Sequence, residues 1–386
     1  MKVANQSAMT KAFKNGKPGE VYKISGAYQG KDYTINGRGK EITYDFSGAT
    51  LTKCVVTIKG DRVKIVGGNW KDSMVLIKGN NNRVTKARFM NGAPGGNRSK
   101  RHSAVCIVGN SSKNRVDHNE VVKWERRALR CTDLTKKTKG NIFEYNYIHD
   151  MKAKKKANAG EAIQSGKNQK DSLYSPGTII RYNLFVSCNA DSEVISLKSS
   201  GNKVIGNTFV NTTGGLTTRQ GSNCVLSSNT FVKSKGANIM GDKNEVSYNK
   251  FVDSDLTLSS DDGTAEDSKK RKGNKFVFEG MHPASRKTLV CFNEFENGSR
   301  FTIGRKATGG KQYYPGALRP KGNKKSNRHV LADAHIYGNE GAKVKRAGQV
   351  DQIKNDRVAR KNIKPVQLKA SDVGLRAVVG WDNHNG

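Results

Sequence analysis

Val204-Ile-Gly-Asn207-Thr-Phe209, Leu226-Ser-Ser-Asn229-Thr-Phe231 and Val246-Ser-Tyr-Asn249-Lys-Phe251 are one phrase written three times: an apolar residue, two variable ones, Asn, a variable one, Phe. Toward the N-terminus it recurs as Ile180-Arg-Tyr-Asn183-Leu-Phe185, Phe143-Glu-Tyr-Asn146-Tyr-Ile148 and Val116-Asp-His-Asn119-Glu-Val121. Toward the C-terminus it returns as Val290-Cys-Phe-Asn293-Glu-Phe295. The steps from Asn183 to Asn207, Asn229 and Asn249 are 24, 22 and 20 residues, and the step of 44 to Asn293 reads as two coils of 22. A phrase at this period is one turn of a solenoid. Asn tolerates the left-handed backbone of a tight turn, and stacked copies can hydrogen-bond their amides along an internal ladder. The residue two places on points to the same side and stacks into the core. The expected fold is all-β: a single-domain right-handed parallel β-helix over residues 1–386, with coils of roughly 20–24 residues.

Composition agrees with that reading. Hydrophobic residues make up 34% of the 386, and 41 are Gly, which suits many short strands and turns better than long amphipathic helices. Both ends of a solenoid need capping. Ser7 to Lys14 reads as a short amphipathic helix ending at Asn15-Gly16, before first strands that start around Pro18 to Ile24. Coils are expected over 31–300. Gly304 to Asn327, with Tyr313-Tyr314-Pro315, reads as a long basic loop lying against them, His329 to Asn339 as a last coil, and the remainder as a polar tail. Lys152 to Lys156 and Asp261 to Lys272 read as solvated loops between coils.

Sixty-nine Lys and Arg against 33 Asp and Glu leave a charge of +36, so a polyanionic partner is expected. No nucleic-acid module or aromatic-interleaved basic motif is present, which favours an acidic polysaccharide over nucleic acid. The six Cys have no CxxC spacing and are expected to be reduced, in or near the core. Met1 to Gln6 lacks an apolar signal-peptide stretch and no run of 18 apolar residues occurs, so a water-soluble monomer without membrane contact is expected. It would be secreted or periplasmic if a signal has been trimmed, and virion-associated or intracellular otherwise.

Three segments about one coil apart concentrate polar groups: Asn158-Ala-Gly-Glu161, Asp191-Ser-Glu193 with Lys198, and Arg219-Gln220-Gly221. Asp191 and Glu193, two apart, share a face, and an amide oxygen from Asn158 on the strand below would complete a hard-oxygen site suited to Ca²⁺. Lys198 and Arg219 are 21 residues apart, one coil, and can flank one groove where they would move a proton on an acidic sugar. The alternative from the residues alone is a surface ladder of salt bridges among Asp191, Glu193, Lys198 and Arg219.

The run Glu193-Val-Ile-Ser-Leu-Lys198-Ser, followed by Asn207-Thr-Phe209 and Gly215-Leu-Thr-Thr-Arg219-Gln-Gly221, resembles polysaccharide lyase family 6, the alginate lyases and chondroitinase B. Asn158-Ala-Gly-Glu161-Ala-Ile resembles the preceding segment, and Pro18-Gly-Glu with Gly26-Ala-Tyr28 the N-terminal cap, so the likeness covers roughly residues 1–300. The resemblance implies Ca²⁺ held by Asn158, Asp191 and Glu193, Lys198 as general base, and Arg219 as general acid or stabiliser of the leaving oxygen. Glu161, Gln220, Arg130, Arg126 and Tyr314 are the expected substrate contacts. Gln220 stands where the family commonly has His, and Leu197 where it commonly has Asn. The implied reaction is β-elimination from a uronic-acid polymer, alginate foremost, with chondroitin or dermatan sulfate as the alternative. Sulfate would call for arginines in the groove, and Arg98, Arg101, Arg126, Arg127 and Arg130 are candidates. A β-helical hydrolase would instead need carboxylates as acid and base, and a non-catalytic glycan-binding or virion protein would need only the basic surface.

Overall fold

The computed structural model describes residues 1–3, 5–92, 102–152, 159–260, 264–276, 282–304, 332–341, 344–346, 353–355, 365 and 367–372. Short strands stack coil upon coil into a 23-stranded and a 12-stranded sheet, and the pairings within both are parallel. One coil illustrates the plan: Lys203–Ile205 and Thr208–Thr212 belong to the larger sheet, which wraps two faces, and Gly215–Thr217 to the smaller. This is a parallel β-helix, as the repeat predicts.

The repeated Asn is the internal ladder. Each side-chain oxygen accepts both the backbone N–H and the amide N–H of the Asn one coil earlier, at 2.8–3.1 Å, from Asn119 through Asn146, Asn183, Asn207, Asn229, Asn249 and Asn293 to Asn339. Behind it Phe185, Phe209, Phe231, Phe251 and Phe295 stack with ring centroids 4.6–4.9 Å apart. The left-handed residue is not the Asn, however, but the one before it: His118, Tyr145, Tyr182, Ser228, Tyr248 and Phe292 all have φ between 52° and 56° or, at Ser228, 58°. The turn there aims the Asn side chain inward, where its amide satisfies backbone groups that the corner would otherwise bury unpaired.

A second ladder, from Asn82 through Asn114 to Asn141, runs up another corner. Its signal is Asn, one residue, then an apolar one, as in Asn82-Arg-Val, Asn114-Arg-Val and Asn141-Ile-Phe.

The N-terminal cap is a helix over Gln6–Asn15, with the Asn5 side chain accepting from the Ala8 N–H at 2.8 Å. Its Phe13 packs edge-on against Tyr44 at 5.0 Å and closes the core. Ala334–Tyr337 pairs with Thr288–Cys291, so the coil expected at His329–Asn339 forms, but it is not the last: Val344–Arg346 stacks on Phe301–Ile303, and Ile353–Asn355 stacks on Ala334–Ile336 where only a polar tail was expected. The step from Asn249 to Asn293 is corrected: the two are hydrogen-bonded directly, so the 44 residues between them are one coil carrying an excursion. Part of that excursion, expected as plain loop, holds a helix over Ala265–Lys269 and an antiparallel pairing of Arg271–Lys272 with Lys275–Phe276. The Lys152–Lys156 loop beyond Lys152, and the Gly304–Asn327 loop beyond Gly304, lie outside the described residues. All six Cys are free and buried.

Candidate active site

Four neighbouring strands of the smaller sheet carry the site: Arg127–Thr132, Ile163–Ser165, Glu193–Leu197 and Gly215–Thr217. Register aligns Arg130, Gln164, Ser196 and Thr217 across them in one outward row. Two residues further along each strand come Thr132, Gly166, Lys198 and Arg219, so Lys198 and Arg219 stand side by side on adjacent coils. On the other side of that row lie Arg127, Glu161 and Glu193. A register shift between Glu193 and Ile195 lets Val194 and Ile195 both enter the core and leaves Glu193 on the outer face.

Lys198 is not the exposed groove residue that its sequence suggests; its side chain is 12% exposed. Its ammonium lies 3.5 Å from Glu161 Oε1. Burial pushes its pKa below the usual lysine range; Glu161 and Glu193 pull the other way, and Arg219 and Arg127 add to the depression. Gly166 has φ +86°, and a Cβ there would come 3.2 Å from Lys198 Cβ. Glycine therefore meets the turn's geometry and leaves space over the lysine.

Arg219, 30% exposed, donates from Nη1 to Glu193 Oε1 at 2.8 Å. Glu161, 2% exposed, accepts from Gln164 Nε2 at 2.7 Å, and its other oxygen lies 3.3 Å from Arg127 Nε. One buried carboxylate thus sits between Arg127 and Lys198. The surface ladder considered from sequence forms only at Arg219 and Glu193, because Lys198 turns to Glu161 and Asp191 to the backbone. Gln220 is buried directly after Arg219. Tyr314, Arg98 and Arg101 lie outside the described residues.

Asp191 precedes the strand and works as a turn acceptor: Oδ2 takes the N–H groups of Ala159 at 2.8 Å and Gly160 at 3.1 Å, and Oδ1 that of Glu193 at 3.3 Å. Glu193 Oε2 is buried with no hydrogen-bond partner. Among the described residues no group of three His, Cys, Asp or Glu is placed to hold a metal ion. Asn158 lies outside them, immediately before Ala159. Two carboxylates joined through the Glu193 amide, one with an orphan oxygen, are donors of the type a hard divalent cation takes.

The orphan polar atoms gather on this face. Besides Glu193 Oε2, Gln164 Oε1 and Ser196 Oγ are buried without partners in the row between the arginines and Thr217. Buried polar groups are normally satisfied, so a run of unsatisfied ones along one face is where a polar ligand would find partners.

A family model described as Chondroitinase B matches residues 43–256. No curated protein matches in sequence. Among solved structures, a family 6 polysaccharide lyase from Pseudopedobacter saltans superposes with a TM-score of 0.74 at 18% identity, over 97% of this chain and 99% of that one. The family 6 alginate lyase AlyGC gives 0.72 at 19% identity, over 92% of this chain and 51% of its own length. A mannuronic-acid-specific family 6 lyase from human gut microbiota gives 0.66 at 18%, over 89% and 82%. These likenesses show a shared fold.

Proposed function

The chain belongs to the chondroitinase B family, the polysaccharide lyases of family 6, and from that premise we propose that it depolymerises alginate by β-elimination at Lys198 and Arg219. The observation that carries the site assignment is the pairing in register of a mostly buried lysine, its pKa lowered, with an arginine on the next coil.

Lys198, neutral, takes the C5 proton of the uronate in the groove. The electron pair left on C5 delocalises into the carboxylate, then forms the C4–C5 double bond as the C4–O bond breaks. Arg219 hydrogen-bonds the departing oxygen, and the proton on Lys198 is available to it, so no water is consumed. Glu161 holds the lysine in place and balances its charge while protonated. Ca²⁺, held by Asp191 and Glu193 with Asn158, would supply positive charge against the substrate carboxylate and ease loss of the C5 proton. A sulfated glycosaminoglycan is the second reading, favoured by the arginines at Arg126 and Arg130.

The test is the product. Elimination yields a conjugated uronate that absorbs in the ultraviolet, whereas hydrolysis yields none. Alginate blocks and dermatan sulfate incubated with the protein should give rising absorbance on at least one. New reducing ends without absorbance would refute the lyase mechanism.

A further inference from the structure

The excursion between the Asn249 and Asn293 coils carries charge that the lyase site does not use. From Ser268 to Phe278 no acidic residue occurs, and five of the seven residues from Lys269 to Lys275 are Lys or Arg. Within this run Arg271–Lys272 pairs antiparallel with Lys275–Phe276 around Gly273-Asn274, and Gly273 has φ +61°, as a two-residue hairpin turn requires. Lys270, Arg271, Lys272 and Lys275 are all exposed. Lys272 and Lys275 stand directly opposite each other, a pairing of like charges that works against the hairpin. So short a pair of strands has little apolar face to bury in compensation. An anion laid along the hairpin relieves the repulsion.

The surrounding contacts fix where that anion lies. Ala265 is buried, and its N–H donates to the Asp242 carboxylate. At the far end of the excursion the Ser285 N–H donates to the Ser259 carbonyl at 2.7 Å. The helix over Ala265–Lys269, which leads directly into the hairpin, packs against a 3₁₀ helix at Gln169–Leu173. That second helix follows the site strand Ile163–Ser165 and lies beside Lys198: a Cβ on Gly166 would come 3.1 Å from Asp171 Cβ and 3.2 Å from Lys198 Cβ. The hairpin therefore begins one short helix, about 8 Å at 1.5 Å per residue, from the turn beside Lys198.

We infer that this basic hairpin is a second docking site for the acidic polysaccharide, holding the polymer outside the groove, beyond the sugars that react. Lysines are point charges on flexible stems, so they hold a row of carboxylates or sulfate esters without demanding one sugar geometry, and the contact is screened by salt. A chain held there keeps its next segment close to the groove, and the positive field speeds encounter. An oligosaccharide that fills only the groove gains nothing from it. The inference rests on the lyase reading for its choice of a polysaccharide over another polyanion.

The experiment compares the full chain with a variant carrying Lys270→Gln, Arg271→Gln, Lys272→Gln and Lys275→Gln, and with one in which those three lysines become arginine. Binding is read first, by retardation in native gels containing polymeric alginate, polymeric dermatan sulfate or duplex DNA, with Lys198→Ala in every protein so that the polymer stays intact. At low salt the glutamine variant should need about tenfold more polysaccharide for equal retardation. The arginine variant should match the parent, and the difference should vanish near about 0.5 M salt. A loss confined to alginate assigns carboxylates as the ligand; one confined to dermatan sulfate assigns sulfate esters. Turnover is read second, with Lys198 restored. On the polymer, kcat/KM of the glutamine variant should fall about tenfold at low salt, while a tetrasaccharide of the same sugars should be cut as the parent cuts it. The glutamine variant should melt no lower than the parent, because opposed like charges have been removed.

Unchanged retardation on both polysaccharides would overturn the inference, as would a loss on DNA alone, which makes the hairpin a nucleic-acid contact. An arginine variant that binds as weakly as the glutamine one overturns it too, since charge is then not what the hairpin supplies. Equal losses of turnover on polymer and tetrasaccharide do the same, by placing the hairpin in the groove. If no polysaccharide is cut but the glutamine variant loses its retardation, the docking site stands and the lyase reading falls.

Discussion

Lys198→Ala and Glu161→Ala remove opposite ends of one buried contact, and the structure predicts unequal costs. With Lys198 gone, Glu161 keeps Arg127 at 3.3 Å and Gln164 at 2.7 Å. Its charge remains compensated, so the loss is the lysine stem's packing and one ion pair, about 1–2 kcal/mol. With Glu161 gone, Arg127 and Lys198 face each other in a mostly buried site with no carboxylate between them, and removing one partner of a buried pair costs about 3–5 kcal/mol. Urea unfolding of both variants measures the difference. The Glu161→Ala cost should also shrink as pH rises. A lysine whose folded pKa lies below its unfolded one withholds stability below the folded value and restores it as pH climbs toward the unfolded one, because the unfolded chain binds the extra proton. In turnover Lys198→Ala should lose about 10²–10⁴-fold, the range of a general base. The acid limb of kcat/KM should lie below the usual lysine range, and Glu161→Gln should move it lower still, because Glu161 is the strongest group holding that pKa up. Equal stability losses in the two alanine variants, or an acid limb that Glu161→Gln leaves in place, would refute this arrangement.

Arg219→Ala should lose turnover on a similar scale, and the Lys198, Arg219 double variant should be little worse than either single, because groups serving one step are not additive in kinetics. Excess chelator should abolish activity and Ca²⁺ restore it. Ca²⁺ should also raise the melting temperature of the parent but not of Glu193→Gln, a readout independent of turnover. Asn229→Ala should destabilise by about 2–4 kcal/mol in urea unfolding, because it takes the acceptor from the Asn207 backbone N–H and a donor from the Val204 carbonyl inside the core, while the Asn207 side-chain amide keeps only the Ile180 and Ile205 carbonyls.

The coil repeat was legible because one corner of the helix imposes the same demand on every turn, an inward Asn followed by an inward aromatic or aliphatic residue. Its geometry was misplaced by one residue. Sequence shows that Asn tolerates left-handed backbone, but here the preceding position takes that strain, and it is filled by His118, Tyr145 or Phe292 as readily as by Gly206. Residue type at that position carries little signal, since the buried amide behind it stabilises the turn. Counting residues also failed where an excursion matched a coil in length: 44 residues divide neatly in two, yet Asn249 bonds to Asn293. The second Asn ladder is harder to see in the sequence because its phrase is shorter and has no recurring aromatic, ending in Val84, Val116 and Phe143.

At the site, sequence supplied the spacing and not the depth. One-coil separation was enough to put Lys198 beside Arg219, because parallel register converts period directly into adjacency. The burial of Lys198 was not legible, and it changes the chemistry. An exposed lysine would stay protonated and make a poor base, with Ca²⁺ and Arg219 left to lower its pKa, whereas here desolvation is the leading cause and the cations assist. The same shielding gives Glu161 its place, because a mostly buried lysine, and above all one acting as the proposed base, needs a fixed partner for its charged form. Glu161 supplies it while remaining tied to Arg127. Arg127 is thereby occupied, while Arg126 and Arg130, which flank it on their coil, make no ion pair of that kind among the described residues. The division of labour among three arginines within five residues follows from which of them faces the carboxylate one coil on, a distinction that depends on register and cannot be read from charge.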